Sequence, residues 1–142
     1  MYKRQLLNYQ RHVEIQGWVR SLNQLYRSEL ALQELDFEPH GFEWIDCNDA
    51  DQSVISFIRK GRLTNDIILV VCNFTSVPRY QYRVGVPRDG FWKELANSDA
   101  REFGGSGYGN FGGVNAEHIP WHGRPYSLNL TVPPLSVEFF KG

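Results

Sequence analysis

Few residues in this chain could do chemistry, and their spacing limits what each could do. Gly104-Gly-Ser-Gly-Tyr-Gly-Asn-Phe-Gly-Gly113 contains a G-x-G-x-x-G match at Gly107, Gly109 and Gly112. Such spacing can bring a pyrophosphate close to backbone amides, but only when a strand precedes the glycines and a helix follows them. Here Val114-Asn-Ala-Glu-His-Ile-Pro follows, with Pro120 in it, so the run reads as a surface loop. His118 and His122 stand four apart, the offset that aligns two imidazoles on a helix. Pro120 and Gly123 oppose a helix there, and no cysteine is near, so these read as ordinary hydrogen-bonding histidines. Asp46, Asp49 and Asp51 cluster without the glycine and terminal glutamate that a calcium loop requires, and read as turn-stabilising aspartates. Neither a metal nor another cofactor is expected.

Other signals are weaker still. Asn73-Phe-Thr and Asn129-Leu-Thr have the form of glycosylation triplets but are embedded in strand-like sequence, which favours chance matches. Cys47 and Cys72 each lie beside apolar residues and read as two reduced, buried thiols rather than a disulfide framework. No Ser-His-Asp or Cys-His signature is present, and sixteen acidic residues offer more carboxylate pairs than sequence can choose between. No catalytic residue is assigned. The aromatics carry more information, because flat rings stack on the apolar faces of neutral sugars while nearby polar groups meet the hydroxyls. Trp44, Trp92, Tyr108 and Trp121 lie in or beside expected loops and strand ends. Core or interdomain packing is the competing use of such rings.

The elements that must position these residues are of two kinds. Ile15, Trp18, Val19, Leu22, Leu25 and Tyr26 recur at three- and four-residue steps, which predicts an amphipathic helix over about residues 10–27. Ser28 is placed to cap a short turn through Glu29-Leu-Ala-Leu, and Pro39 marks a boundary. The helix stripe must be buried, either on the rest of this chain or on a neighbouring domain. Beyond Pro39 the period changes to two, in Tyr80–Val86, Tyr126–Val132 and Leu135–Phe139. Ile67-Ile-Leu-Val-Val-Cys72 is apolar without alternation, as expected of a central strand. Val54–Ile58, Phe42–Cys47, Phe91–Leu95 and Glu117–Trp121 complete about eight strands separated by turn residues. The predicted fold is all-β, an antiparallel Greek-key β-sandwich preceded by an N-terminal amphipathic helix.

At 142 residues the chain can enclose one main core. A formal charge of -1 provides no broad basic surface for a nucleic-acid backbone or an anionic membrane. No apolar run reaches the roughly 18 residues of a membrane span, and Met1–Asn8 lacks a signal-peptide core. A soluble, cytoplasmic protein with a neutral partner is expected.

Several ordered segments resemble the carboxyl end of bacterial glycogen branching enzymes, members of the alpha-amylase superfamily. They are Gly17-Trp-Val-Arg-Ser-Leu-Asn-Gln-Leu-Tyr-Arg27, Ala31–Asp36, Gly41-Phe-Glu-Trp-Ile-Asp46, Val71–Arg79, Trp92–Asn97, the glycine-rich loop, Trp121–Leu128 and Leu130–Leu135. The resemblance implies residues 1–38 as the terminal helical segment of the catalytic barrel and residues 39–142 as a C-terminal β-sandwich domain. It implies an activity that transfers an alpha-1,4-glucan segment to a 6-hydroxyl, by a retaining mechanism with an aspartate nucleophile and a glutamate acid-base. Those carboxylates belong to barrel segments that no position of this chain matches. The implied partners are the catalytic barrel and alpha-glucan, with Trp44, Trp92, Tyr108 and Trp121 as candidate glucan contacts. A free-standing carbohydrate-binding module and an independent hydrolase are the alternatives.

Overall fold

The computed structural model describes residues 9–63 and 65–142. The expectation about Met1–Asn8, and the first eight residues of the barrel-type segment, lie outside them. The helix α1 runs over Gln10–Ser28, within one residue of the periodicity-based range. It ends where Glu29 turns extended (φ -103°, ψ 109°). Ser28 does not cap the following turn, since its hydroxyl donates back to the Leu25 carbonyl. Short 3-10 turns follow at Leu30–Leu32 and Pro39–Gly41.

Eight strands come next: β1 Phe42–Asp49, β2 Val54–Lys60, β3 Ile67–Asn73, β4 Arg79–Val86, β5 Phe91–Asn97, β6 Gly113–Asn115, β7 Tyr126–Val132 and β8 Ser136–Lys141. They form a six-stranded sheet, ordered β1-β2-β3-β8-β5-β6, and a two-stranded sheet of β4 and β7. Every pair is antiparallel. The chain leaves the large sheet after β3 and returns β8 between β3 and β5, which gives the all-β sandwich its Greek-key course. One expected strand is absent: Glu117–Trp121 makes only the isolated bridges Glu117 to Ser127 and Trp121 to Arg124. Pro120 has no N–H to contribute to a ladder.

The side-chain period explains the layers. Val54, Ile58, Leu69, Val71 and Phe140 of the large sheet meet Tyr82, Val84, Val86, Leu128, Leu130 and Val132 of the small one, with Trp92 closing the core. In β7 Leu128, Leu130 and Val132 are buried and Asn129 is exposed, as the alternation predicts, but Ser127 on the polar face is also fully buried, accepting a hydrogen bond from Arg83. In β3 the residues between the inner ones, Ile68, Val70 and Cys72, are buried on the opposite face under Leu25, Ala31 and Leu32. A strand covered on both sides has no polar face, hence the unbroken apolar run. β8 is the instructive case. Val137 and Phe139 do share a face, the outer one, but Ser136 and Glu138 point into the sandwich and are buried. Of the two cysteines, Cys72 is buried and its thiol is pushed up to about 11 by burial. Cys47 is exposed instead of buried, because register shifts on either side of Asp46 break the alternation of edge strand β1.

Candidate functional site

The glycine-rich loop folds around one carboxylate. Asp99 accepts hydrogen bonds from the amides of Ser106 (3.0 Å) and Tyr108 (3.2 Å), and its carbonyl accepts one from Gly107 (2.9 Å). A side chain at Gly105 would collide with the Asp99 backbone at 2.1 Å, so the close wrap requires glycine there. Amides that might have cradled a phosphate are occupied by the protein's own acid, in agreement with the reading of this run as a loop.

Asn110 ties the end of the loop into the core. Its side-chain amide donates to Glu138 (2.8 Å), Glu94 (3.1 Å) and the Thr131 carbonyl (3.0 Å), while its oxygen accepts from the Thr131 amide (2.8 Å). Glu138 is fully buried, and its other oxygen, Oε1, has no donor. Burial pushes the Glu138 carboxyl well above the usual range, and its hydrogen bond with Glu94 and the Glu94 and Asp99 charges push it the same way. Burial and the neighbouring Glu94 both disfavour the charged form of Glu138. No residue-type rule picked out this pair, because its members lie 44 residues apart and meet only through the β5–β8 pairing. Glu138 has no exposed surface, whereas Glu94 is half-buried, and both hold Asn110 at the end of the loop.

The four aromatic candidates fall in three different settings. Trp92 is fully buried in the inter-sheet core, and its indole N–H donates to the Arg88 carbonyl (3.2 Å). It presents no ring face to a sugar, which removes it from the candidate contacts; Trp is the largest apolar group available to close the end of the core. Trp44 is 49% exposed on the outer face of β1 and forms an aromatic cluster with Phe42 (4.9 Å between rings) and Phe57 (5.8 Å). Tyr108 is 37% exposed in the glycine-rich loop, with its ring 6.1 Å from that of Tyr80. Trp121, 46% exposed, heads a tight hairpin turn in which His122 (φ 50°) and Gly123 (φ 73°) are left-handed and Trp121 and Arg124 exchange backbone hydrogen bonds. Tyr80, 61% exposed, stands in the segment Tyr80–Val86 whose period of two predicts a strand and marks no site residue. An irregularity between Arg79 and Tyr82, with Gln81 at φ 52°, turns Tyr80 outward.

The histidine pair does not converge: His118 meets Asp89 (2.8 Å) and His122 meets Asp46 (3.3 Å). Among the described residues no group of three or more His, Cys, Asp or Glu side chains is arranged to hold a metal. Asp46 and Asp49 accept backbone amides from Asn48 and Gln52, the turn-stabilising role expected of them. Asn73 is buried, donates to the Val77 and Pro133 carbonyls and accepts from Thr75, so the first glycosylation-type triplet is a structural turn.

On the outer face, α1 seats only part of its apolar sector. Leu25 is buried, Trp18 packs edge-on against Phe103 (5.1 Å), and Leu22 is half-buried. Ile15, Val19 and Tyr26, next to them around the helix, stay exposed. They join the Phe42–Trp44–Phe57 cluster in leaving much apolar surface uncovered on this side of the large sheet.

Comparison with known proteins places this geometry. The model of the alpha amylase C-terminal all-beta domain matches residues 44–142. The 1,4-alpha-glucan branching enzyme GlgB of Aquifex aeolicus is 60% identical over 136 residues, which are 96% of this chain and 22% of that protein. The enzymes of the same name from Thermosynechococcus vestitus (53% identical, 96% of this chain, 18% of theirs) and Albidiferax ferrireducens (53%, 92% and 21%) are similarly close. The chain therefore spans about a fifth of the length of the curated relatives it matches.

Proposed function

Because the chain belongs to the alpha-amylase C-terminal all-beta domain family, we propose that it acts as the C-terminal domain of a 1,4-alpha-glucan branching enzyme, packed against a catalytic barrel and without catalytic residues of its own. The observation that carries this reading is the half-seated helix. Ile15, Val19 and Tyr26 on α1, and separately Phe42 and Trp44 on edge strand β1, leave large apolar side chains exposed, the kind of surface that marks a docking face. A second domain laid on this side would bury it, contributing about 25 cal/mol for each Å² covered. Residues 10–38 then belong to the barrel side of the boundary and residues 39–142 form the sandwich, the two meeting where α1 and the Leu30–Leu32 turn cover β3.

The chemistry of branch formation, glucan transfer to a 6-hydroxyl through two carboxylates, falls to the barrel in this reading. Of the Glu94 and Glu138 carboxyls, Glu138 is fully buried and Glu94 is half-buried and committed to Asn110. A cytoplasmic setting goes with the role. No helix among the described residues is long and apolar enough to cross a membrane, and the two cysteines are free thiols. The test is an iodine-absorption assay of branch formation on amylose. This chain alone should leave the spectrum unchanged, and branching by it would overturn the assignment of chemistry to another domain.

Holding of alpha-glucan is the second reading, favoured by the exposed rings of Trp44, Tyr108 and Trp121. Trp92 has no part in it.

A further inference from the structure

Away from the outer face, the end of β1, the β4 irregularity and the 121–124 turn enclose a shallow cavity of about 350 Å³. Its walls include Asp46, Asp49, Gln52, Tyr80, Gln81 and Trp121. Two of the lining residues, Gln81 and His122, hold left-handed backbone without being glycine (φ 52° and 50°). Such conformations cost about 1–3 kcal/mol each and persist where surrounding structure imposes them.

That surrounding structure is well defined. The 121–124 turn lies directly on β4, where a side chain at Gly85 would collide with the Trp121 carbonyl at 1.9 Å. Both ring nitrogens of His122 are used: Nδ1 accepts from the Gly85 amide (3.1 Å) and Nε2 faces Asp46 (3.3 Å). Because Nδ1 is an acceptor, the ring is neutral with its proton on Nε2. Arg124 fixes the other end of the turn, donating to the carbonyls of His122 (2.9 Å) and Trp44 (3.1 Å) and pairing with Glu43 (3.1 Å). On the opposite wall Tyr82 donates to Asp49 (2.7 Å), and Gln52 orients the same carboxylate. Trp121 and Tyr80, 46% and 61% exposed, stand at the rim of this fixed polar floor.

The chemistry of the cavity selects its ligand. Two carboxylates face one arginine, Arg83, which is already engaged with Ser127 and Glu117, so an anion is disfavoured. The floor is too polar for an apolar ligand. A neutral polyhydroxyl compound satisfies both parts, with C–H faces on the rings and hydroxyls on Asp46, Asp49 and Gln81. We propose that this cavity is a binding site for a short neutral oligosaccharide, with Trp121 and Tyr80 as stacking surfaces and Gln81 as a hydrogen-bonding contact. The choice of alpha-1,4-glucan as its ligand rests on the branching-enzyme reading; the site itself does not.

Titration of the full chain with maltoheptaose, and in parallel with a β-1,4-linked cello-oligosaccharide, followed by amide chemical shifts, tests this. Shifts should centre on residues 80–83 and 121–124, and Trp121→Ala should weaken maltoheptaose binding about tenfold. Gln81→Gly relieves the left-handed strain, so it should weaken binding several-fold without lowering Tm, which separates lost contact from lost fold. Phe37→Ala, at a fully exposed position outside the cavity lining, should leave the affinity within twofold. Binding that Trp44→Ala abolishes and Trp121→Ala spares would overturn the site while leaving glucan holding intact. Binding of the cello-oligosaccharide alone would keep the site and overturn its assignment to alpha-glucan. Absence of binding to either sugar would overturn the site, whereas docking to a barrel is read by a separate assembly measurement.

Discussion

The two faces of the six-stranded sheet are finished to different degrees. The inner face is closed by the chain itself, with Val54, Ile58, Leu69, Val71 and Phe140 fully buried against the β4–β7 sheet. The outer face is closed over β3 by Leu25, Ala31 and Leu32, partly covered on β2, β5 and β8, and open where Phe42 and Trp44 stand on β1 and where Ile15 and Val19 flank the helix. The first face is what a fold needs to stand. The second is what a fold needs to be joined to something else. Large-to-small changes on the two faces should therefore differ in kind, costing stability on one and association on the other.

The largest effect should come from the inner face. Trp92→Ala removes a fully buried ring and should cost about 3–5 kcal/mol, seen as a lower urea midpoint or as loss of folded protein. Glu138 sharpens the comparison, since it is a buried acid in the same core. Glu138→Ala leaves the Asn110 amide without its 2.8 Å acceptor and should cost about 1–3 kcal/mol. Glu138→Gln keeps the shape and should instead change the pH dependence. The folded pKa of Glu138 is raised above its ordinary 4.5, so the unfolded chain gives up the proton first. Its stabilising share is complete below pH 4.5 and declines as pH rises through the folded value. A series of melts that starts below pH 4.5 and rises should show a decline for the native chain and a flatter profile for the Gln variant. The smallest effect on stability should come from the outer face: Val19→Asp, at an exposed position, should change it by no more than about 0.5 kcal/mol.

The sequence made the inner face legible wherever alternation had one polar side. β7 shows this, with Leu128, Leu130 and Val132 inward and Asn129 outward. The unbroken apolar run of β3 likewise marked a strand covered on both faces. β8 was legible as a strand but not in its polar face, because Glu138 is tolerated inside only through Asn110 and Glu94, both distant in sequence. Trp92 was legible as an aromatic near a strand end and not as core, since composition cannot say which side of β5 the sandwich occupies. Tyr80 and Trp121 lie on either side of the same cavity only because Gln81 and His122 adopt left-handed backbone, a feature that residue type scarcely signals outside glycine. The strand expected over Glu117–Trp121 reduces to two isolated bridges, since Pro120 has no N–H for a ladder.

The account turns on whether the open outer face is a docking surface. The most direct measurement is sedimentation of this chain mixed with the separately prepared catalytic part of a branching-enzyme relative, native and as Val19→Asp with Trp44→Ala. Formation of a complex that the double variant loses, with an unchanged melting temperature for the variant alone, is the predicted result. Failure to associate, or a complex that survives both changes, would contradict it.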